Sequence, residues 1–122
     1  MDTETLLSHA EQVIQPFSGA LLRKESNRVD AVVEVKNLKA AVKALVDAHW
    51  GYLAAISCLD HPAKEGQSEG VLEVIYFFAN ADAISGLRVA VPHSNAVVPS
   101  ICDLIPSATL YERELMELFG VD

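Results

Sequence analysis

The stretch from Val71 to Phe78 constrains the fold most. Leu72, Val74, Tyr76 and Phe78 fall on one face of an extended chain, and Val71, Ile75 and Phe77 on the other. A strand apolar on both faces is a central strand with neighbours on each side. The short turn Asn80-Ala81-Asp82 leads into Ala83 to Val91, where Leu87, Val89 and Val91 alternate with Arg88 and Ala90. One face of that strand is expected to be wet, and Pro92 stops it. Upstream, Tyr52 to Leu59 reads as a strand apolar on both faces, followed by a polar loop from Asp60 to Gly70. Short connections favour antiparallel pairing among these three strands. Ala31 to Val35 is rich in β-branched residues and reads as a fourth.

Two helical periods flank the strand at Ala31. Leu6, Ala10, Val13 and Phe17, with Leu7 and Ile14 beside them, form one apolar stripe that Pro16 and Gly19 end. Leu38, Ala41, Val42, Leu45, Val46 and His49 form the cleanest period in the chain. Asn37 is its expected N-cap, and Gly51 its left-handed end. Between the first helix and Ala31 the chain reads two ways, as irregular or with a short strand at Leu21-Leu22; Ser26-Asn27 reads as a turn. If the strands flanking Leu38 to His49 are parallel neighbours, that helix is a right-handed crossover. At 122 residues the chain is one domain, 1–122. The expected architecture is α+β: two layers, a mixed sheet of about four strands, and helices mainly on one face.

Chemistry is harder to find. With 9 Lys and Arg against 17 Asp and Glu, the net charge is −8, which disfavours a nucleic-acid backbone and an anionic membrane surface. Two cysteines, each in an apolar setting and without a CxxC, indicate reduced thiols and a cytoplasmic protein. The acidic start Met1-Asp2-Thr3-Glu4 does not resemble a signal peptide, and no apolar run reaches the roughly 20 residues that span a bilayer. Cys58 and His61 stand three residues apart and could form a catalytic pair, but a third orienting group and further metal ligands are missing. A buried structural Cys58 and a loop His61 fit the pattern better. His49 reads as a histidine at a helix C-terminus and Trp50 as a packing anchor. No GxGxxG, P-loop, HExxH or GxSxG is present.

The last stretch, Ser107 to Val121, is dense in both charge and large apolar side chains. Thr109-x-x-Glu112 fits a capping box, with Ser107 as a rival cap. Tyr111, Leu115, Leu118 and Phe119 make an apolar stripe with Glu114 beside it. Arg113 and Glu117 form an i, i+4 pair, and Gly120 takes the left-handed position after the last turn. A capped amphipathic helix with a solvated face accounts for all of this, and so does a specialised interface.

Thr109 to Val121 resembles the signature of the complex I 30-kilodalton family, the C-type subunits of respiratory NADH:quinone oxidoreductase. Relatives of that family include a small subunit of energy-converting nickel–iron hydrogenases. Glu112, Arg113, Glu114, Leu118, Phe119, Gly120 and Val121 match its pattern, as do Val98-Pro99-Ser100 and Pro106 upstream. Leu110 and Tyr111 depart from its usual order of an aromatic then an aliphatic residue, and Glu117 replaces the commoner Asp. The respiratory members continue past the Gly-Val with a Gly-His-Pro segment and a tail that is absent here, so a trimmed chain or a short hydrogenase-type member is expected. The resemblance covers about the last three quarters of the chain. It implies an accessory subunit of an oxidoreductase complex, without catalytic residues, cofactor or metal of its own. It also implies docking on a large subunit that borders a quinone cavity or holds a nickel–iron site, next to an iron–sulfur subunit, with membrane contact only through the complex. Glu112, Arg113, Glu114, Glu117, Leu118, Phe119 and Gly120 are then the expected interface motif, with Glu112, Arg113 and Glu114 in a partly buried network. The alternative is a stand-alone small-ligand-binding or regulatory α+β module with the Asp60 to Gly70 loop as its mouth.

Overall fold

Asp2 opens the first helix by accepting the Thr5 amide on its carboxylate at 2.8 Å. This helix, α1 (Thr3–Ile14), buries Leu6, Leu7, Ala10 and Ile14 and runs into a single 3-10 turn at Gln15–Phe17. The computed structural model describes residues 2–122. After α1 come β1 (Ser18–Glu25), β2 (Arg28–Val33), α2 (Val35–Asp47), β3 (Tyr52–His61), β4 (Val71–Asn80), β5 (Ala83–Pro92) and α3 (Ala108–Phe119). One mixed sheet forms in the order β1-β2-β5-β4-β3, with β2 and β5 parallel and the other neighbours antiparallel.

The sheet has five strands where about four were expected. The segment that read two ways is a full hairpin: β1 and β2 pair around the Ser26-Asn27 turn. Its polar residues hid it, because one of its two faces is not covered by a helix. The helix between β2 and β3 does not join neighbours. β3, β4 and β5 form a meander that begins at the far edge and returns β5 to the side of β2. Helix α2 starts two residues ahead of Asn37: Val35 leaves the strand and packs against the core, so Glu34 takes the N-cap position without a side-chain bond. The left-handed residue closing α2 is His49 (φ 53°), whose position lets the Trp50 amide reach the Leu45 carbonyl at 3.0 Å. Gly51 is also left-handed, and a Cβ there would stand 2.0 Å from the Ala79 carbonyl oxygen. Trp50 is a packing anchor: it is buried, and its Nε1 donates to the Leu6 carbonyl at 2.9 Å, fastening α1 to the end of α2.

Helices α1 and α2 and the core occupy one face of the sheet, where Val29, Ala31, Val33, Leu72, Val74, Tyr76, Phe78, Leu87, Val89 and Val91 point. The other face carries a row of charges. Arg88 was expected to be wet but is 13% exposed, because it donates to both Asp30 and Glu73. Asp30 is fully buried and also accepts Arg28 at 2.6 and 2.8 Å. Gly86 lies beneath that carboxylate; a Cβ there would come within 3.1 Å of it. His61 continues the row, 3.3 Å from Glu73.

Candidate docking surface

The segment after β5 wraps back beneath the C-terminal helix, and two devices hold that helix in place. The first is Glu112. Helix α3 starts at Ala108, so Thr109 lies inside it and its hydroxyl donates to the Pro106 carbonyl at 2.9 Å; the expected capping box is not formed. Ser107 is the N-cap residue, without a side-chain bond. Glu112 is freed from the helix start and instead accepts the Ser100 hydroxyl at 2.8 Å, the Ile101 amide at 3.2 Å and the Cys102 thiol at 3.2 Å. A carboxylate serves a tight loop well because it accepts several donors at once. Buried Ile101 anchors the same loop in the core.

The second device is the Gly120-Val121 end. Gly120 takes φ 70°, and the Gly120 and Val121 amides donate to Met116 and Leu115 carbonyls at 3.2 and 3.3 Å. This turn buries Val121 and aligns Asp122 with the loop, where its amide donates to Ala96 and its carbonyl accepts from Val98, both at 2.8 Å. A residue in the left-handed region followed by a β-branched core residue is thus what locks the chain end to residues 96–98.

The apolar stripe divides. Tyr111 is half-buried and donates its hydroxyl to the Ala54 carbonyl at 3.0 Å, and Leu115 is buried. Leu118 and Phe119, by contrast, are 73% and 40% exposed, and Leu110 and Met116 are exposed beside them. Arg113, Glu114 and Glu117 are exposed, and among the described residues none of the three makes an ion pair or side-chain hydrogen bond. The Arg113–Glu117 pair is therefore not formed, and of Glu-Arg-Glu only Glu112 joins a network within this chain. A cavity of about 420 Å³ between α3 and the loop is lined by Val98, Cys102, Arg113, Met116 and Val121. Large apolar side chains and unpaired charges mixed around the exposed circumference of one helix, facing the loop on one side and β3 on the other, mark an interaction surface.

The other sequence candidates do not converge. Cys58 is buried on the helix-bearing side of β3, and burial, with Asp60 and Glu73 nearby, raises its thiol pKa. His61 ends β3 rather than lying in the loop, and turns to Glu73 on the opposite side. Residues three apart on a strand point to opposite faces, so the two cannot act as a pair. Among the described residues no group of three or more His, Cys, Asp or Glu side chains could hold a metal ion. A cavity of about 650 Å³ lies between the end of α2, the start of β3 and residues 104–107. None of its lining residues comes from the loop expected as a ligand mouth.

The sequence profile of the family described as respiratory-chain NADH dehydrogenase, 30 kDa subunit, matches residues 31–122. The chain belongs to this family.

The C/D-type NADH-quinone oxidoreductase protein of Nitrosospira multiformis is 35% identical over 101 residues, which are 78% of this chain and 16% of that protein. The C-type NADH-quinone oxidoreductase protein of a Chelativorans species is 28% identical over 89 residues, 72% of this chain and 42% of that relative. The chain thus spans less than half the length of either. A chain from the membrane-bound sulfane sulfur reductase, an archaeal respiratory membrane complex, shares the fold with a TM-score of 0.77 at 18% identity, covering 98% of this chain and 68% of that one. Glu112-Arg113-Glu114 and Leu118-Phe119-Gly120-Val121 lie on one helix and its closing turn. The Val98-Pro99-Ser100 segment supplies the Ser100 hydroxyl that Glu112 accepts. Sequence reasoning missed Ser100 and Cys102 as partners of Glu112, because nothing local links residues ten or more positions apart.

Proposed function

We propose that this chain is a structural subunit of a membrane-associated respiratory redox complex, of the NADH:quinone oxidoreductase or hydrogenase type. In this role it docks on a large subunit and carries no catalytic residue, cluster or cofactor itself. One observation carries the proposal: α3 presents Leu110, Met116, Leu118 and Phe119 together with unpaired Arg113, Glu114 and Glu117. An interface built this way takes affinity from the apolar side chains and orientation from the charges. Membership of the 30 kDa family supports the class of complex. The C/D name of the Nitrosospira relative supports a neighbour of D type. The sulfane sulfur reductase supports, through shared fold, a place in respiratory membrane complexes. In this reading membrane contact belongs to the partner subunits and the chain sits on their cytoplasmic side; no described helix is long and apolar enough to cross a membrane.

The test is affinity purification of the tagged chain from its native host after mild solubilisation, with identification of the accompanying subunits. Recovery of a quinone-cavity or nickel–iron large subunit, with an iron–sulfur neighbour, is expected and assigns the type. A chain recovered alone under conditions that keep the complex intact overturns the proposal.

A further inference from the structure

Strand β3 is the last in the sheet and is bonded to β4 on one side only. An edge strand of ten residues leaves alternate N–H and C=O groups pointing outward without partners. Proteins usually blunt or cover such an edge, and here the cover is partial. At its start the pairing shifts between Leu53 and Ala55, and the Tyr111 hydroxyl takes the Ala54 carbonyl. Among the described residues, no other outward backbone group of β3 gains a partner from outside the sheet.

Beside the uncovered part run two cavities. One, of about 230 Å³, is lined by Ile56, Ser57, Cys58, Glu114, Leu115, Leu118 and Phe119. The next, of about 290 Å³, is lined by Asp60, Leu72, His93, Ala96, Phe119 and Gly120. Phe119 is common to both. Ile56, Cys58 and Asp60 follow one another on the same side of β3, so the cavities succeed each other along the strand at about the 6.8 Å repeat of alternate side chains. Glu114 stands at the rim of the first cavity with no partner, whereas Asp60 is engaged by His93 at 2.8 Å.

We propose that residues 55–60 of β3 and the C-terminal end of α3 accept an extended segment of a partner polypeptide as a sixth strand. Alternate apolar side chains of that segment fill the two cavities, and a Lys or Arg meets Glu114. Main-chain pairing supplies affinity and the alternating pockets supply specificity, as in other strand additions. Charge selects the occupant. A second copy of this chain, of net charge −8, would bring another acidic rim against Glu114, whereas a basic side chain neutralises it. This site rests on the reading of the chain as a subunit of a larger complex.

The experiment is residue-resolved amide hydrogen exchange on the purified complex and on the isolated full chain. Within 55–60, amides at every second residue are expected to slow by about tenfold or more in the complex, while the intervening amides, already bonded to β4, are slow in both. The Glu114→Lys chain is expected to lose most of that added protection, and Glu114→Gln only part of it. Unchanged exchange in an intact complex overturns the strand site while leaving the subunit assignment standing; failure to recover any complex removes the assignment itself. Uniform slowing without alternation means general stabilisation and overturns the proposal. Alternating protection that grows with concentration in the isolated chain points to a second copy and overturns it as well.

Discussion

At the scale of single residues, the three members of Glu-Arg-Glu have separate tasks. Glu112 holds three donors of the loop at Ser100, Ile101 and Cys102. Glu112→Ala leaves the Ile101 amide without its acceptor and is expected to destabilise the chain by about 1–3 kcal/mol, measured by urea unfolding. Arg113 is exposed and unpaired within the chain, so Arg113→Ala is expected to shift stability by no more than about 0.5 kcal/mol while weakening recovery of the large subunit. That division of labour was not legible in the sequence. A contiguous triplet suggested one network, whereas successive helical residues are turned about 100° apart and reach different surroundings. The left-handed place of Gly120 was legible, since glycine is the usual residue just past the last turn of a helix, and the structure adds that this turn buries Val121. Its Cβ space is open, so Gly120→Ala is opposed by backbone strain alone and is expected to cost about 1 kcal/mol in the same urea measurement.

Among the elements, the sheet's uncovered face depends on a pairing that alternation within one strand cannot reveal. Arg88 looks wet when β5 is taken alone. The parallel pairing of β2 with β5 sets Asp30 opposite Gly86, and Arg88 then reaches a carboxylate 58 positions away in the chain. Burial works to raise the Asp30 pKa, but hydrogen bonds from Arg28 and Arg88 and their charges outweigh it and hold the carboxyl below its ordinary value. A depressed folded pKa contributes stability that is present above the unfolded value, about 3.9 for aspartate, and is lost as pH falls through the folded value. Acid unfolding followed by circular dichroism is therefore expected to show stability falling below about pH 4. Asp30→Ala leaves Arg88 with Glu73 alone and takes from Arg28 its hydrogen-bonded carboxylate; removing one partner of a buried ion pair costs up to about 3–5 kcal/mol, and at neutral pH this is expected to be the most damaging of these substitutions. A variant within about 1 kcal/mol of the parent at pH 7 would mean that the row of charges contributes little.

For the molecule as a whole, period and polarity revealed the layers, the central strand β4 and both long helical stripes, because each of those is written in contiguous residues. The hairpin β1–β2 was legible in part, through the strand reading at Leu21-Leu22 and the Ser26-Asn27 turn. The place of β3 at the far edge and the exposure of Leu118 depend on contacts between distant segments and were not legible locally. That last feature separates folding from assembly. Leu115, Ala108 and Val121 fasten α3 to the core, and Met116 and Leu118, at 56% and 73% exposed, have little left to contribute to it. A Met116→Ser, Leu118→Ser double variant is expected to keep its melting temperature within a few degrees, since exposed positions contribute little to folding stability. Covering either side chain in an interface is worth about 1.5–3 kcal/mol, so the pair is expected to lower affinity for the large subunit by at least tenfold in a titration against the purified partner. A drop of about ten degrees or more in melting temperature would place these side chains in the core of the isolated chain. Unchanged melting with unchanged affinity would move the docking face off Met116 and Leu118, and would count against the β3 edge site as well, because Leu118 lines its first cavity.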